Sequence, residues 1–257
     1  MRGTGTPPLR FSLREWKGVE RSVRIYYGDS ARARRMTAIY RRFIRPGQLV
    51  FDIGSHVGDR IAAFRRLGCR VVAVEPQPAA FSYLRDVYGW RPGVTLVHAA
   101  VSDRAGVLPL RLNLANPTVS TASSAFIDAA DGAAGWEGQR WERVIKVPAV
   151  TLDGLIAAHG VPGFAKIDVE GFELEVLNGL SRPLPALSFE FTTIQRGVAE
   201  ACIARLAALG TYDFNVALGE SHDLAFARAV DADAMLRHLR ALPHAANSGD
   251  VYAVRRG

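Results

Sequence analysis

Cysteine is nearly absent from this 257-residue chain. Cys69 and Cys202 stand 133 positions apart, so neither a disulfide framework nor a cysteine zinc site is written here. No stretch approaches the ~20 uninterrupted apolar residues that a membrane helix needs, and no apolar core follows the N-terminal arginines as a secretory leader requires. A cytoplasmic location without membrane contact is therefore expected. Internal repeats and linkers are also missing. Hydrophobic residues make up 49% and charged residues 22%, which excludes disordered and fibrous classes. One domain over residues 46–257, preceded by an extension over 1–45, is the economical reading.

Lysine is scarce as well, with 3 residues against 29 arginines, and the positive charge is uneven. Residues 1–45 hold eleven Arg and one Lys against Glu15, Glu20 and Asp29, a net +9, so the remaining 212 residues sum to −2. Such a segment could meet a polyanion or an acidic substrate, or be a solvated helix face. Met36, Ile39, Tyr40, Phe43 and Ile44 recur within it at helical spacing, behind a capping Asp29 or Ser30 and before Pro46-Gly47.

Beyond residue 46 strands and helices alternate. Strands are expected at Leu49–Ile53, Arg70–Glu75, Val94–Ala99, Phe164–Asp168 and Leu187–Thr192, with helices at Val57–Leu67, Pro78–Tyr88 and Phe172–Leu180. Two further strands, Val107–Leu112 and Arg143–Val150, flank a Ser/Thr/Gly-rich stretch over 113–140 that reads as a long functional or mobile loop. Thr151 caps a helix to about His159. A helix over Val198–Leu209, a strand over Tyr212–Ala217, a helix over Ala232–Leu242 and a strand over Val251–Arg255 complete the chain. The pattern is α/β: a Rossmann-like, mostly parallel sheet with helices on both faces.

The turn Asp52-Ile53-Gly54-Ser55-His56-Val57-Gly58 lies at the carboxyl end of the first strand, where ligands of such sheets bind. Glu75 follows Asp52 by 23 residues, at the end of the second strand, where an acid can hold two ribose hydroxyls. A dinucleotide's pyrophosphate wants G-x-G-x-x-G and no anion beside it. Asp52 would repel phosphate and favour an ammonium, so an adenosine donor without phosphate, S-adenosylmethionine, fits better than NAD. At the fourth strand's mouth, Lys166-Ile167-Asp168-Val169-Glu170-Gly171-Phe172-Glu173 gathers three carboxylates, which are costly there unless solvated, paired or working. Lys166 would pair with a carboxylate or point to an edge.

These motifs, with Val74-Glu75-Pro76 and Ala100-Val101-Ser102-Asp103, resemble the FkbM family of S-adenosylmethionine-dependent methyltransferases over about residues 47–193. The resemblance implies a class I methyltransferase fold, with a seven-stranded sheet ending in an antiparallel strand, and O-methylation of a sugar or natural-product hydroxyl. Asp52, Gly54 and Gly58 would line the methionine end, Glu75 the ribose, and Val101, Ser102 and Asp103 the adenine region, with Ser55, His56 and Pro76 also binding the donor. Asp168 would lie at the reaction centre. The chain departs from the family in carrying Ser55-His56 where Ala-Asn is common. Catalytic candidates are Asp168 and Glu190, the latter set opposite the rings of Phe189 and Phe191; Glu170, Glu173 and His222 are candidates for the acceptor. No His/Asp/Glu cluster shows metal spacing, so a metal-independent reaction is expected. The alternatives are an RNA methyltransferase using the basic segment, opposed by the charge of Asp168 and Glu170, and a non-catalytic donor-binding module.

Overall fold

The computed structural model describes residues 11–256; residues 1–10 of the basic segment lie outside them. Ser12 starts the first helix, α1 (Leu13–Gly28), through a capping box: its hydroxyl accepts from Glu15 N, and its own N–H donates to Glu15 Oε2 at 2.6 Å. Sequence periodicity gave no expectation of this helix, although Ser12-Leu13-Arg14-Glu15 carries the box. The expected amphipathic helix follows as α2 (Ser30–Tyr40), capped by Asp29, which accepts from Ala31 and Arg32 N–H at 2.8 and 2.9 Å. Its stripe of Met36, Ile39 and Tyr40 is buried, with the Tyr40 and Phe64 rings 4.6 Å apart.

The chain then alternates through β1 (Leu49–Ile53), α3 (Asp59–Arg66), β2 (Arg70–Val74), α4 (Pro78–Tyr88) and β3 (Val94–Val97). The expected third strand stops two residues early because the chain turns into a second sheet. This three-stranded sheet comprises β4 (Ala100–Val101), β5 (Gly106–Leu112) and, after α5 (Ser124–Ala130), β6 (Arg143–Val150). The stretch over 113–140 is thus not a bare loop. A 3₁₀ turn spans Pro117–Val119, Ser123 caps α5, and Phe126 is buried edge-on against Trp136 and Trp141. Its small-residue composition hides the period from sequence inspection.

Next come α6 (Leu152–His159), β7 (Phe164–Ile167), α7 (Glu173–Asn178), β8 (Ala186–Thr192), α8 (Arg196–Leu209), β9 (Tyr212–Leu218), α9 (Ala232–Ala241) and β10 (Ser248–Arg255). The main sheet runs β3-β2-β1-β7-β8-β10-β9, with β10 antiparallel to both neighbours and the other pairings parallel. This is the class I methyltransferase sheet, its last strand inserted antiparallel. Register sets Asp52 beside Lys166, and Lys166 beside Ser188. The period-2 pleat puts Phe51, Ile53, Ile167, Phe189 and Phe191 into one apolar face. Asp52, Lys166, Ser188 and Glu190 share the opposite parity, which places polar groups beneath the carboxyl ends of the strands.

Candidate active site

A cleft of about 830 Å³, partly open to solvent, lies across the carboxyl ends of β1, β2, β7 and β8. At one end is Glu75, 1% exposed, whose Oε2 accepts from His56 N and Oε1 from Gln77 N, both at 2.8 Å. His56 reaches this position with φ 46°, the left-handed region. Burial outweighs the two amides and pushes the Glu75 carboxyl up to about 7. Gly54 joins this end to the other. With φ 81° it passes so close to β7 that a methyl on it would overlap the Asp168 carbonyl oxygen. Gly58, φ 79°, packs its α-carbon against Leu84 and Tyr88 and leads into α3.

At the opposite end, Lys166 is fully buried and holds Asp250 Oδ1 at 2.6 Å and Asp168 Oδ2 at 3.2 Å. Arg60 stands 3.3 Å from the same Asp168 oxygen. Burial alone would raise the Asp168 carboxyl, but the two cations outweigh it and hold it at about 2. Glu190 and Glu170 move the other way. Burial, then the charge of Asp168, drives each well above the usual carboxylate range. Glu190 Oε2 is buried without a hydrogen-bond partner. Asp168, Glu170 and Glu190 each offer a carboxylate oxygen within 4.8 Å of the others, and no other such group of three occurs among the described residues. Linear spacing conceals this grouping, because Glu190 comes from a neighbouring strand. A divalent ion there would compete with Lys166 and Arg60 for Asp168.

The cleft is roofed by Tyr26 from α1 and by Thr118, Ser120 and Ala122 from the stretch after β5. Thr118 Oγ1 meets His56 Nε2 at 3.4 Å, and Tyr27 donates to Val57 O at 3.0 Å. Arg32 ties the roof to the floor. Its guanidinium binds Asp59 Oδ2 at 2.9 Å and Glu220 Oε2 at 2.8 Å, and stacks over the Tyr26 ring at 4.8 Å. The described arginine with the deepest burial in the basic segment thus serves an internal contact.

Of the residues expected from sequence, Gly54, His56, Glu75, Pro76, Val101, Asp168, Glu170 and Glu190 line the cleft. Asp52, Ser55, Gly58, Ser102, Asp103, Glu173 and His222 stand outside its wall. Asp52 is fully buried with both carboxylate oxygens unpartnered, and burial pushes it up to about 7. Ser55 donates to Asp52 O at 2.8 Å, and Ser102 to Asp103 Oδ1 at 3.0 Å. Glu173 Oε1 accepts from Val169 and Gly171 N–H at 3.0 and 3.3 Å, a brace for the turn after β7. His222 is buried with Nε2 3.4 Å from Glu220, and burial lowers it. Tyr26, Asp59, Arg60, Gln77, Thr118 and Glu220 line the cleft without having been expected. Only the Ser12 box and the position of Arg60 two residues after Gly58 offered a sequence signal.

Comparison with known proteins fits this geometry. The chain is similar over 160 residues, at 28% identity, to hexuronic acid methyltransferase AglP of Haloferax volcanii, covering 62% of this chain and 60% of that protein. It is 30% identical over 161 residues to 31-O-demethyl-FK506 methyltransferase FkbM of Streptomyces tacrolimicus, covering 53% of this chain and 61% of that protein. The matched part thus spans about three fifths of either relative's length. Similar solved structures include a TehB-like SAM-dependent methyltransferase from Corynebacterium glutamicum, at 9% identity and TM-score 0.49, covering 95% of this chain and 98% of that one. Another is a SAM-dependent methyltransferase from Geobacter sulfurreducens in complex with S-adenosylhomocysteine, at 14% identity and TM-score 0.44, covering 96% of this chain and 100% of that one. The Methyltransferase FkbM domain matches residues 52–242, so the chain belongs to the FkbM family of S-adenosylmethionine-dependent methyltransferases.

Proposed function

We propose that this protein methylates a hydroxyl of a sugar or small natural product. The observation that carries the proposal is the split between Asp168, held low by Lys166 and Arg60, and Glu190, raised by burial beside it, in one wall of the cleft.

The residues present suit the donor. Glu75 spends one lone pair of each oxygen on a backbone amide, leaving each oxygen free to accept from a ribose hydroxyl. Six carboxyl groups line the cleft (Asp59, Glu75, Asp168, Glu170, Glu190 and Glu220) against the single guanidinium of Arg60, and Asp168, held ionised, gives that wall an anion that suits a sulfonium and disfavours a pyrophosphate. S-adenosylmethionine supplies an electrophilic methyl on a positively charged sulfur. Transfer to an alcohol needs the acceptor oxygen held in line and its proton removed. Glu190 takes that proton in our reading, since a raised carboxyl is the better matched base, while Asp168 stays ionised and orients the acceptor. Glu170 hydrogen-bonds a neighbouring hydroxyl. The roof of Tyr26, Thr118 and Ser120 shields the site from water. The hexuronic acid and 31-O-demethyl-FK506 named in the relatives' descriptions support a sugar or natural-product acceptor.

Purified protein with methyl-labelled donor should label hydroxylated sugars or macrolides as base-stable methyl ethers. Label entering only RNA would favour the nucleic-acid alternative. Base-labile methyl esters alone, or donor binding without any turnover, would refute O-methylation.

A further inference from the structure

We propose that Arg60 binds the α-carboxylate of the donor's amino-acid end. This residue belongs to no motif of the family resemblance, and the proposal rests on the donor alone, not on the acceptor assigned above.

Arg60 is the second residue of α3, directly after Gly58. Its side chain is 13% exposed and runs to the mouth of β7, where it lines the cleft. Its pairings are loose: 3.3 Å to Asp168 Oδ2 and 3.6 Å to Asp59 Oδ1, and its Nε is buried without a partner. The other two buried cations have shorter pairings, Lys166 at 2.6 Å to Asp250 and Arg32 at 2.8 and 2.9 Å to Glu220 and Asp59, although Arg32 Nη2 too lacks a well-directed hydrogen bond. A guanidinium has five donors in a planar fork suited to a carboxylate, and burying it under-used is costly. Arg60 therefore has unspent capacity facing the cleft.

The donor has one anionic group. Everywhere else along the cleft that carboxylate would meet Asp59, Glu75, Asp168, Glu170, Glu190 or Glu220; among the described lining residues Arg60 is the sole cation. Asp59 and Asp168 flank it, so the adjacent ammonium finds an anion beside the same guanidinium. Glu75 binds the Gly54–Gly58 turn at His56 N–H, and Arg60 follows that turn on α3 and reaches Asp168. A molecule with a ribose diol at one end and a zwitterion at the other fits that polarity in one orientation.

The test needs no acceptor. Calorimetry compares S-adenosylhomocysteine with its decarboxylated amine counterpart, on wild type and on Arg60→Met. Wild type should favour the carboxylated ligand by roughly 10- to 100-fold, the scale of a charge-assisted hydrogen bond. In R60M the ratio should fall to within about threefold. Taking the ratio cancels any effect of the substitution on Asp168 or on the ribose end, which both ligands share. Should R60M not fold, Arg60→Gln keeps two donors for the neighbouring acids and is read on the same ratio. A wild type that binds both ligands equally overturns the proposal with no variant needed. A wild-type preference that survives undiminished in the folded variant overturns it too.

Discussion

At the Glu75 end of the cleft, one buried carboxylate is held by two backbone amides, from residues 19 and 2 positions away. At the Glu190 end, three carboxylates crowd within 4.8 Å, one carries an unpartnered buried oxygen, and the neighbouring Lys166–Asp250 ion pair reaches across 84 positions. Glu75 is satisfied by its own strand–turn–helix unit before any ligand arrives, although Asp52 in that unit keeps both oxygens unpartnered. The second leaves polar capacity unspent, which natural sequences tolerate chiefly where function needs it.

The largest effect should fall where the two ends touch. Gly54→Ala places a methyl against the Asp168 carbonyl and asks a non-glycine residue for φ 81°. We expect a loss of about 3 kcal/mol or more, read as a sharply lowered melting temperature or insoluble protein. Glu75→Ala should weaken S-adenosylhomocysteine by roughly 1–3 kcal/mol in calorimetry while turnover at saturating donor is largely kept. Equal loss of both would join the ends that the comparison separates. Removing residues 1–28 strips Tyr26 from the roof and the Tyr27 contact with Val57, so donor binding should fall by about 1 kcal/mol.

The smallest effect is a shift in pH dependence. As base, Glu190 must be unprotonated, so the rate falls as pH drops through its raised pKa. Asp168's charge is part of what raises it. Asp168→Asn removes that charge and frees Lys166 and Arg60 to act on Glu190, so the acid limb should move to lower pH by about one unit. A limb that stays in place or moves up would detach Asp168 from Glu190.

The sheet order, the Asp52–Gly58 turn, Glu75 and the Lys166–Glu173 segment were readable because each is contiguous and obeys local rules of strand, turn and cap. Their roles divide once folded. Asp52 and Glu75 are both acids at strand ends, yet Asp52 lies within β1 and is fully buried outside the cleft wall, while Glu75, just past the end of its strand, meets the cleft. Glu173 and Glu170 sit three residues apart, yet Glu173 turns back onto Val169 and Gly171. Two strands of the smaller sheet, β5 and β6, carry a strand pattern in sequence, but the two-residue β4 that completes it and the Ser/Ala-rich α5 around Phe126 give no period, and α1 announces itself only through the Ser12 capping box. The grouping of Glu190 with Asp168 and Glu170 depends on strand register, which no spacing in the chain reports.

Glu190→Gln tests the central claim most directly, because it changes the proposed base without changing its shape. With the accepted substrate in hand, single-turnover rate and S-adenosylhomocysteine affinity are measured on the same preparation. The account predicts a rate lowered by about 10²–10⁴-fold, the usual worth of a general base, with affinity changed less than about threefold. A rate within a few-fold of wild type, or an affinity lost in step with the rate, would contradict it.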